Sequence, residues 1–383
     1  MKGPEQGGRD LRLDFFRGLA LWFIFVNHIP ANQFAWLTSR NYGLSDASEV
    51  FVFISGYTSS LVYAKVYARS GWGLAAARVL DRCWTLYLTY IFLFIAFTAQ
   101  VAYTTRAFDN PLFAEEMGIG SFFADPTVAL VQALLLKFRP ANLDILPLYI
   151  VLLLVVPLLL PALVRRPIHL LALSGALYVL TRHFAWNLPT YPEGGEWFFN
   201  PFAWQFLFVL GAVLQRFPEA SAALTRPRLA VLLLAAAYVA ASLVLALSWQ
   251  IASLGAFMPP RLGEVLYPIS KTDLDPLRLV HFLALAYLVL QVARPDSAWL
   301  RSRLLAPVVL CGRQSLHVFC LGIFLSFAGQ TVLVQVNGSL FAQFAVTIIG
   351  ISAMVLTARV LTWYQSAGRP PRPAAPALED SGA

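Results

Sequence analysis

The sequence predicts an all-α fold, a polytopic transmembrane bundle of about ten helices with cytoplasmic N- and C-termini. First, 58% of its 383 residues are hydrophobic and 13% are charged, and the mean hydropathy is +0.66, whereas soluble domains carry about 25% charged residues. Second, apolar runs of spanning length recur along the chain. Third, the basic residues cluster between these runs. These observations exclude a soluble globular enzyme, a disordered chain and a disulfide scaffold.

The predicted helices follow the apolar runs in order. Ten runs have the length and composition expected of spanning helices, and they cover residues 13–30, 48–66, 79–104, 145–164, 168–184, 200–216, 229–249, 278–293, 304–332 and 340–364. An eleventh run, 122–138, is shorter and contains Asp125, Pro126 and Lys137.

Charge placement decides how the eleventh run is interpreted. If 122–138 does not cross, 19 of the 28 Lys and Arg residues lie on the cytoplasmic side, and 12 of the 20 acids lie outside. This distribution obeys the positive-inside rule. A crossing at 122–138 would move Arg165, Arg166 and the later basic clusters to the wrong side. The sequence therefore predicts that 122–138 is an interfacial or re-entrant helix at the outer face.

We expect one transmembrane domain, 1–365, followed by a disordered, Pro-rich cytoplasmic tail, 366–383. The first run lacks a signal-peptide cleavage pattern, and the chain shows no internal repeat. All three cysteines lie in apolar runs without metal-ligand spacing, so we expect no metal site and no tightly bound cofactor. Topology accounts for the net charge of +8, so nucleic acid is not an expected partner; the lipid bilayer is.

The first run carries the most informative ionisable residues. Arg17 and His28 are eleven positions apart, so on a helix they share a face and are separated by about 16 Å. This pattern fits a channel with a cation at the cytoplasmic mouth and an imidazole near the outer end. The alternative is that Arg17 extends to lipid head groups while His28 caps the helix before Pro30.

Two acids at the start of the second run could assist His28. Asp46 or Glu49 could hold the imidazole in one tautomer and stabilise its protonated form. The alternative is that they only cap the helix N-terminus, where acids are favoured. Glu49 lies about one turn deeper than Asp46, so capping explains it less easily.

A second cluster is predicted at the cytoplasmic side. Arg78 and Arg82 are four residues apart and share a helix face. With Arg12 and Arg17 they would form an anion site suited to phosphates. The alternative is that they are only topology signals.

Several segments carry a resemblance to a known family. The pattern from Asp14 to His28, in which ten residues separate Arg17 from His28, resembles the first helix of membrane acyltransferase family 3, and SDASEVFVFISGY (45–57) resembles that superfamily's second helix. More specifically, the chain resembles the OpgC family, which succinylates osmoregulated periplasmic glucans. The segments that carry this closer resemblance are 28–56, FRPANLDILPLY (138–149), FNPFAWQFLFVLG (199–211), KTDLDPLRLVHFLALA (271–286) and GRQSLHVFC (312–320).

The resemblance implies a multi-pass enzyme of the bacterial inner membrane. It would take acyl-CoA, with succinyl-CoA as the specific donor, from the cytoplasm and acylate a periplasmic glucan, with His28 as general base. The donor phosphates would lie among Arg12, Arg17, Arg78 and Arg82.

A succinyl group also needs a cation to meet its carboxylate. Arg139, Lys271 and Arg278 are the candidates, with pairing to Asp144, Asp273 or Asp275 as the alternative. Asn142, Asp144, Asn200 and His281 would contact the glucan.

Other functions remain open at this point. The cautious form of the enzyme hypothesis is acetylation, or another acylation, of a different envelope glycan. A transporter or flippase could use the same charged channel, and a non-enzymatic partner of a glucan synthase is a third possibility. Glucan synthesis proteins or a second copy of the chain are possible partners.

Overall fold

The computed structural model describes residues 10–256 and 259–367, which are almost entirely helical. The α-helices are α1 (Leu11–Asn27), α2 (Ala47–Ser59), α3 (Lys65–Ala107), α4 (Leu112–Glu116), α5 (Gly120–Ala124), α6 (Pro126–Leu134), α7 (Ile145–Arg165), α8 (Pro167–Phe184), α9 (Pro201–Arg216), α10 (Pro218–Leu224), α11 (Leu229–Gln250), α12 (Ala252–Gly255), α13 (Pro260–Leu266), α14 (Pro276–Val292), α15 (Ala306–Arg313), α16 (Ser315–Gln335) and α17 (Leu340–Ala367). Short 3-10 turns cover Gln33–Leu37, Ser39–Asn41 and Ala298–Arg301. The described part contains no β-strand, only an isolated bridge between Pro189 and Glu196. An all-α fold is therefore confirmed.

Several helices begin at an acid or amide followed by proline. The side chains of Asp125, Asn200 and Asp275 accept hydrogen bonds from the first turns of α6, α9 and α14, whose first residue is proline. The cap satisfies an N–H that the helix cannot satisfy itself, and proline has no N–H to leave unpaired. These starts can be read from sequence.

The second and third predicted runs form one helical stretch with two irregularities. A π-helical turn, Ser60–Ala64, joins α2 to α3. Gly71 then breaks the helix with a φ of 78°, a left-handed conformation that glycine adopts at little cost. The stretch therefore changes direction at Gly71, and both expected runs lie within it.

Two helix pairs in the centre of the bundle approach closely through glycines. A Cβ on Gly18 of α1 would lie 1.9 Å from the carbonyl oxygen of Val308 in α15, and one on Gly312 would lie 1.8 Å from that of Asp14. The α2–α9 pair repeats the arrangement with Gly56 against Phe208 and Gly211 against Phe53. Small residues let helix backbones meet in this way. These crossings fix α1 and α2 in the bundle.

The long helices have one protein-facing and one outward-facing side. In α3, Leu86, Tyr90 and Phe97 are fully buried, with spacings that place them on one face. On the other side Phe92 is 69% exposed, and on α11 Leu234 is 72% exposed. Large exposed apolar faces on long helices indicate contact with lipid.

Five described helical segments are long and apolar enough to cross a membrane, judged by length and composition. They are Ala47–Ala107, Ile145–Arg165, Leu229–Gln250, Ser315–Gln335 and Leu340–Ala367, and Pro276–Val292 is a shorter apolar helix. They indicate a membrane protein. The expected count of about ten spans and the cytoplasmic termini stay predictions.

Two predicted segments differ in detail. The run 304–332 is divided into α15 and α16 at Gln314. The run 122–138 contains the end of α5 and all of α6, which has 9 residues, fewer than a spanning helix needs. The first two residues of the predicted tail continue α17 to Ala367. The rest of the tail, 368–383, lies outside the described residues, as do the basic residues Lys2 and Arg9 of the predicted cytoplasmic N-terminus.

Candidate functional site

His28 lies directly after the last residue of α1. Its backbone N–H donates to the carbonyl oxygen of Ile24 at 3.0 Å, so it caps the helix. Within the described residues, the buried Nδ1 of its ring has no hydrogen-bond partner. Arg40 donates to the neighbouring Asn27 carbonyl at 3.2 Å. The imidazole is thus held at a helix end, with Nδ1 available to bind a ligand. We call this end of the molecule the His28 end.

A charged cluster of Asp46, Glu49, Lys271 and Arg278 lies at the His28 end. The Lys271 ammonium donates to Asp46 at 2.6 Å. Arg278 contacts Glu49 Oε1 through Nε at 2.9 Å and Nη2 at 2.7 Å. Arg278 also reaches Asp46 at 3.4 Å. The cluster joins α2 to the start of α14 and is balanced in formal charge.

Asp46 and Glu49 form a capping box. Asp46 accepts from the Ser48 backbone N–H at 2.8 Å, and Glu49 accepts from the Asp46 N–H at 2.9 Å. Burial opposes ionisation of Asp46, but the charges of Lys271 and Arg278 hold the pKa of its carboxyl below the usual value. Asp46 therefore stays ionised.

The two acids do not touch His28 in this structure. Within the described residues their hydrogen bonds go to Lys271, Arg278 and the α2 backbone. The charges of Lys271, Arg40 and Asp46 act on the His28 ring through space. The capping alternative is thus present in the structure, and a role in orienting His28 stays a prediction.

Arg139 and Asp144 form a second ion pair at the His28 end. Nε of Arg139 lies 3.5 Å from Asp144 Oδ1, and the Arg139 side chain is 3% exposed. The guanidinium lies over the ring of Trp197, 4.1 Å from its centroid. Yet Nε and Nη1 of Arg139 have no hydrogen-bond partner in the described residues. Burial raises the pKa of Asp144 to about 6, although the charge of Arg139 opposes the rise.

Three residues that were predicted to contact the glucan, Asn142, Asn200 and His281, differ in burial and in their hydrogen bonds. Asn142 has a φ of 71° in the loop that carries Arg139. Asn200 is fully buried and donates to the Trp186 carbonyl at 2.6 Å and to Asp273 at 2.9 Å. His281 is 2% exposed, and its Nδ1 accepts from the Ser45 N–H at 3.2 Å. Asn200 and His281 are thus buried and hydrogen-bonded within the protein, whereas Asn142 lies in a loop.

The three candidate cations for the succinyl carboxylate, Arg139, Lys271 and Arg278, each form an ion pair with an acid of the protein. Arg139 pairs with Asp144, as the alternative reading had it. Lys271 pairs with Asp46 and Arg278 with Glu49 and Asp46, whereas Asp273 bonds to Asn200 and Asp275 to Arg182. Pairing with Asp273 or Asp275 was therefore wrong for Lys271 and Arg278. The reason is that Asp273 and Asp275 turn toward α8 and α9.

The four predicted arginines at the opposite end, called the Arg17 end, border one stretch of helix, residues 57–65. Arg17 donates to Thr58 at 3.1 Å. The charge of Arg12 acts on Tyr57, and that of Arg82 acts on Tyr63. Arg12 also forms an ion pair with Asp10 at 2.7 Å. Arg78 reaches the same stretch through a cavity.

This cavity, the Arg78 cavity, has a volume of about 520 Å³ and lies where the chain bends at Gly71. Its lining residues are Leu61, Val62, Lys65, Val66, Arg69, Ser70 and Arg78. Three of the seven are cationic and none is acidic, which suits a phosphate or carboxylate anion. Lys65 and Arg69 are also four residues apart, the same spacing that singled out Arg78 and Arg82 in the sequence, and the structure adds them to the predicted cationic residues at this end.

The structure thus places Arg17 in the first half of α1, beside the cationic residues, and His28 directly after the last residue of α1. Neither residue lines the Arg78 cavity. A passage connecting the two ends stays a prediction. No group of three or more His, Cys, Asp or Glu side chains that could hold a metal ion occurs in the described residues.

A helical bundle with apolar spanning helices, a buried imidazole at one end and a cationic cavity at the other defines a membrane protein with a polar site. The family model described as OpgC protein matches residues 9–366. The chain belongs to the OpgC family, and this membership suggests a membrane acyltransferase. No curated protein and no solved structure matches the chain.

Proposed function

We propose that the chain is an inner-membrane O-acyltransferase that moves a succinyl group from cytoplasmic succinyl-CoA to a hydroxyl of a periplasmic glucan. The Arg17 end faces the cytoplasm and the His28 end faces the periplasm. Family membership supports the acyl transfer. The donor, the acceptor and the roles of individual residues are the finer part of the proposal.

The placement of His28 carries the proposal. A general base needs an unprotonated nitrogen that no other group occupies. The Nδ1 of His28 is buried and has no hydrogen-bond partner in the described residues, so it is free to accept a proton from a substrate hydroxyl in the tautomer that carries its hydrogen on Nε2. His281 also has a buried nitrogen without a partner, Nε2, but its Nδ1 accepts from the Ser45 N–H, so in the neutral ring Nε2 carries the hydrogen and cannot act as the base.

The proposed reaction uses His28 as its base. The glucan hydroxyl gives its proton to the His28 imidazole while its oxygen attacks the thioester carbonyl carbon. The C–S bond then breaks, and the CoA thiolate leaves and takes up a proton, so that an ester and free CoA are formed. Burial and the charges of Lys271 and Arg40 lower the pKa of His28, which keeps the ring neutral and able to accept a proton, and the charge of Asp46 partly offsets this and would favour the imidazolium.

The donor would enter from the Arg17 end. Its phosphates would bind among Arg12, Arg17, Arg78 and Arg82, with Lys65 and Arg69 adding charge in the Arg78 cavity. The pantetheine arm would then cover the distance from Arg17 to His28, about 16 Å of helix rise. The donor and the glucan meet without either crossing the membrane.

Arg139 is the best placed of the three candidates to bind the free carboxylate of the succinyl group. Lys271 and Arg278 already donate to Asp46 and Glu49 at 2.6–2.9 Å. Arg139 keeps two buried nitrogen atoms, Nε and Nη1, whose N–H groups have no hydrogen-bond acceptor in the described residues. Buried donors without acceptors are costly, so a ligand carboxylate would be stabilised there. Asn142, three residues after Arg139 in the same loop, would contact the glucan.

Transfer of label by the purified full-length protein tests this function. With labelled succinyl-CoA and glucan, wild type should form a labelled ester. His28→Ala should lose about 10² to 10⁴ in rate, whereas the matched control His183→Ala, at an exposed histidine, should not. A thioester left intact by wild type would favour a transporter, and transfer from acetyl-CoA alone would favour the acetylation alternative.

A further inference from the structure

A second basic cavity lies apart from the proposed donor site. It has a volume of about 430 Å³ and is called the Arg216 cavity; its lining residues are Val164, Arg165, Arg166, Pro167, Ile168, His169, Arg216 and Phe217. It shares no lining residue with the Arg78 cavity. Three helix ends form it: the last residues of α7, the first turn of α8 and the last residue of α9.

The lining of this cavity is strongly positive. Three arginines and a histidine contribute to it, and no acid does. Within the described residues none of the ion pairs involves Arg165, Arg166 or Arg216. The first turn of α8 adds backbone N–H groups and the positive end of a helix dipole. Such a site attracts anions with several oxygens.

Arg216 shows that the site lacks an acceptor. Its Nε is buried and has no hydrogen-bond partner in the described residues. A buried N–H without an acceptor costs free energy that a bound anion would recover. Arginine is also the residue whose planar fork best matches phosphate oxygens.

The surroundings point to a lipid as the source of the phosphate. Val164, Ile168 and Phe217 supply an apolar wall, and Ile168 is 60% exposed. The cavity lies at the ends of α7 and α9, on the same side as the Arg17 end, because Gln215 of α9 accepts from Ser60 next to the Arg78 cavity. Basic cavities between helices on the cytoplasmic side are suited to anionic head groups.

We propose that the Arg216 cavity binds the phosphate of an anionic phospholipid head group, with the acyl chains lying along Ile168. Its bound lipid fastens the α7–α8 turn to the end of α9. The site is independent of the acyl transfer proposed above.

Native mass spectrometry of the full chain in detergent tests this, with phosphatidylglycerol and phosphatidylcholine as probes. Wild type should retain more phosphatidylglycerol than phosphatidylcholine. Arg166→Gln and Arg216→Gln should each lower retention roughly fivefold, whereas Arg228→Gln, at an exposed arginine outside the cavity, should not. Since Arg166 is exposed, its variant tests the proposal even if Arg216→Gln does not fold.

Three results would overturn the proposal. Equal retention of both lipids by wild type would show that charge does not select the ligand. Unchanged retention in Arg166→Gln would place the lipid elsewhere. Complete displacement of phosphatidylglycerol by excess inorganic phosphate would assign the site to a soluble phosphate. Acyl transfer is measured separately, so its absence would not affect these outcomes.

Discussion

Arg139 is the residue at which the structure separates candidates that the sequence could not rank. All three candidate cations for the succinyl carboxylate lie near acids, yet among them only Arg139 has buried side-chain nitrogens without acceptors in the described residues. Spacing along the chain gives no information about such geometry, because Lys271 and Arg278 meet acids more than 200 positions away.

Replacing Arg139 by Gln should reduce the preference for succinyl-CoA over acetyl-CoA by roughly tenfold or more, since a hydrogen bond to a charged group contributes about 1.5–3 kcal/mol. The ratio of kcat/KM for the two donors measures this effect. Arg106→Gln, at an exposed arginine, is the control. An unchanged ratio in Arg139→Gln would remove the assigned role while leaving acyl transfer intact.

Asp144 should give the protein a pH-dependent stability. Its pKa is about 6 in the folded chain and near 3.9 when unfolded. Between these values the folded chain holds a proton that the unfolded chain has lost, so the free energy of unfolding falls as the pH rises.

The unfolding temperature in detergent, measured from pH 4 to pH 7, checks this. Asp144→Asn removes the titrating group, so wild type should lose stability relative to the variant across the window, and the difference should level off above about pH 7. A difference that grows in the opposite direction would show that Arg139 lowers the pKa of Asp144.

The site was predictable in part at the residue scale. Residue type and helix period are enough to select His28, Arg17 and the i, i+4 arginines as candidates, because these signals are local. The pairing of Asp46 with Lys271 was not predictable, because it depends on how α2 and α14 meet. Lys65 and Arg69 have the same i, i+4 spacing, which also marks them as candidates for an anion site.

Helix elements were predictable from the apolar runs, and the irregularities were not. Each of the ten runs overlaps a described helix. The left-handed Gly71, the π-helical turn and the break at Gln314 leave weak sequence signals, since glycine and glutamine also occur inside regular helices. In the run 122–138, the Asp125-Pro126 pair predicts the start of a helix, but the sequence does not predict how deep that helix lies in the membrane.

At this scale Gly56 should be essential for the α2–α9 crossing. A Cβ there would lie 1.9 Å from the Phe208 carbonyl oxygen, and the contact is backbone to backbone. Gly56→Ala should cost roughly 1–3 kcal/mol of stability or more through overpacking. Gly73→Ala is the matched control, because a Cβ at Gly73 would meet nothing within 4 Å.

Thermal unfolding of the two variants in the same detergent is the measurement. Gly73→Ala should be neutral or slightly stabilising, because alanine favours the helix. If Gly56→Ala unfolds at the temperature of wild type, α2 and α9 do not pack as described.

The whole molecule is polarised along α1. Both cavities at the Arg17 end have cationic linings without acids, and the His28 end carries balanced ion pairs. Such asymmetry matches the positive-inside rule, and in the proposed mechanism the donor binds on the basic side.

Membrane-impermeant maleimide labelling of whole cells can test the orientation. In a chain whose three cysteines are replaced by Ala, Arg106→Cys should be labelled from outside and Arg228→Cys only after the membrane is permeabilised. The opposite pattern would invert the topology and move His28 to the cytoplasm.

Sided transfer in sealed proteoliposomes tests the central claim most directly. Glucan is enclosed in the vesicles, labelled succinyl-CoA is added outside, and ester-linked label on the enclosed glucan is counted for protein inserted with the Arg17 end outward. We predict that wild type labels the glucan and His28→Ala does not. Labelling that requires both substrates on one side, or that persists in His28→Ala, would contradict the account.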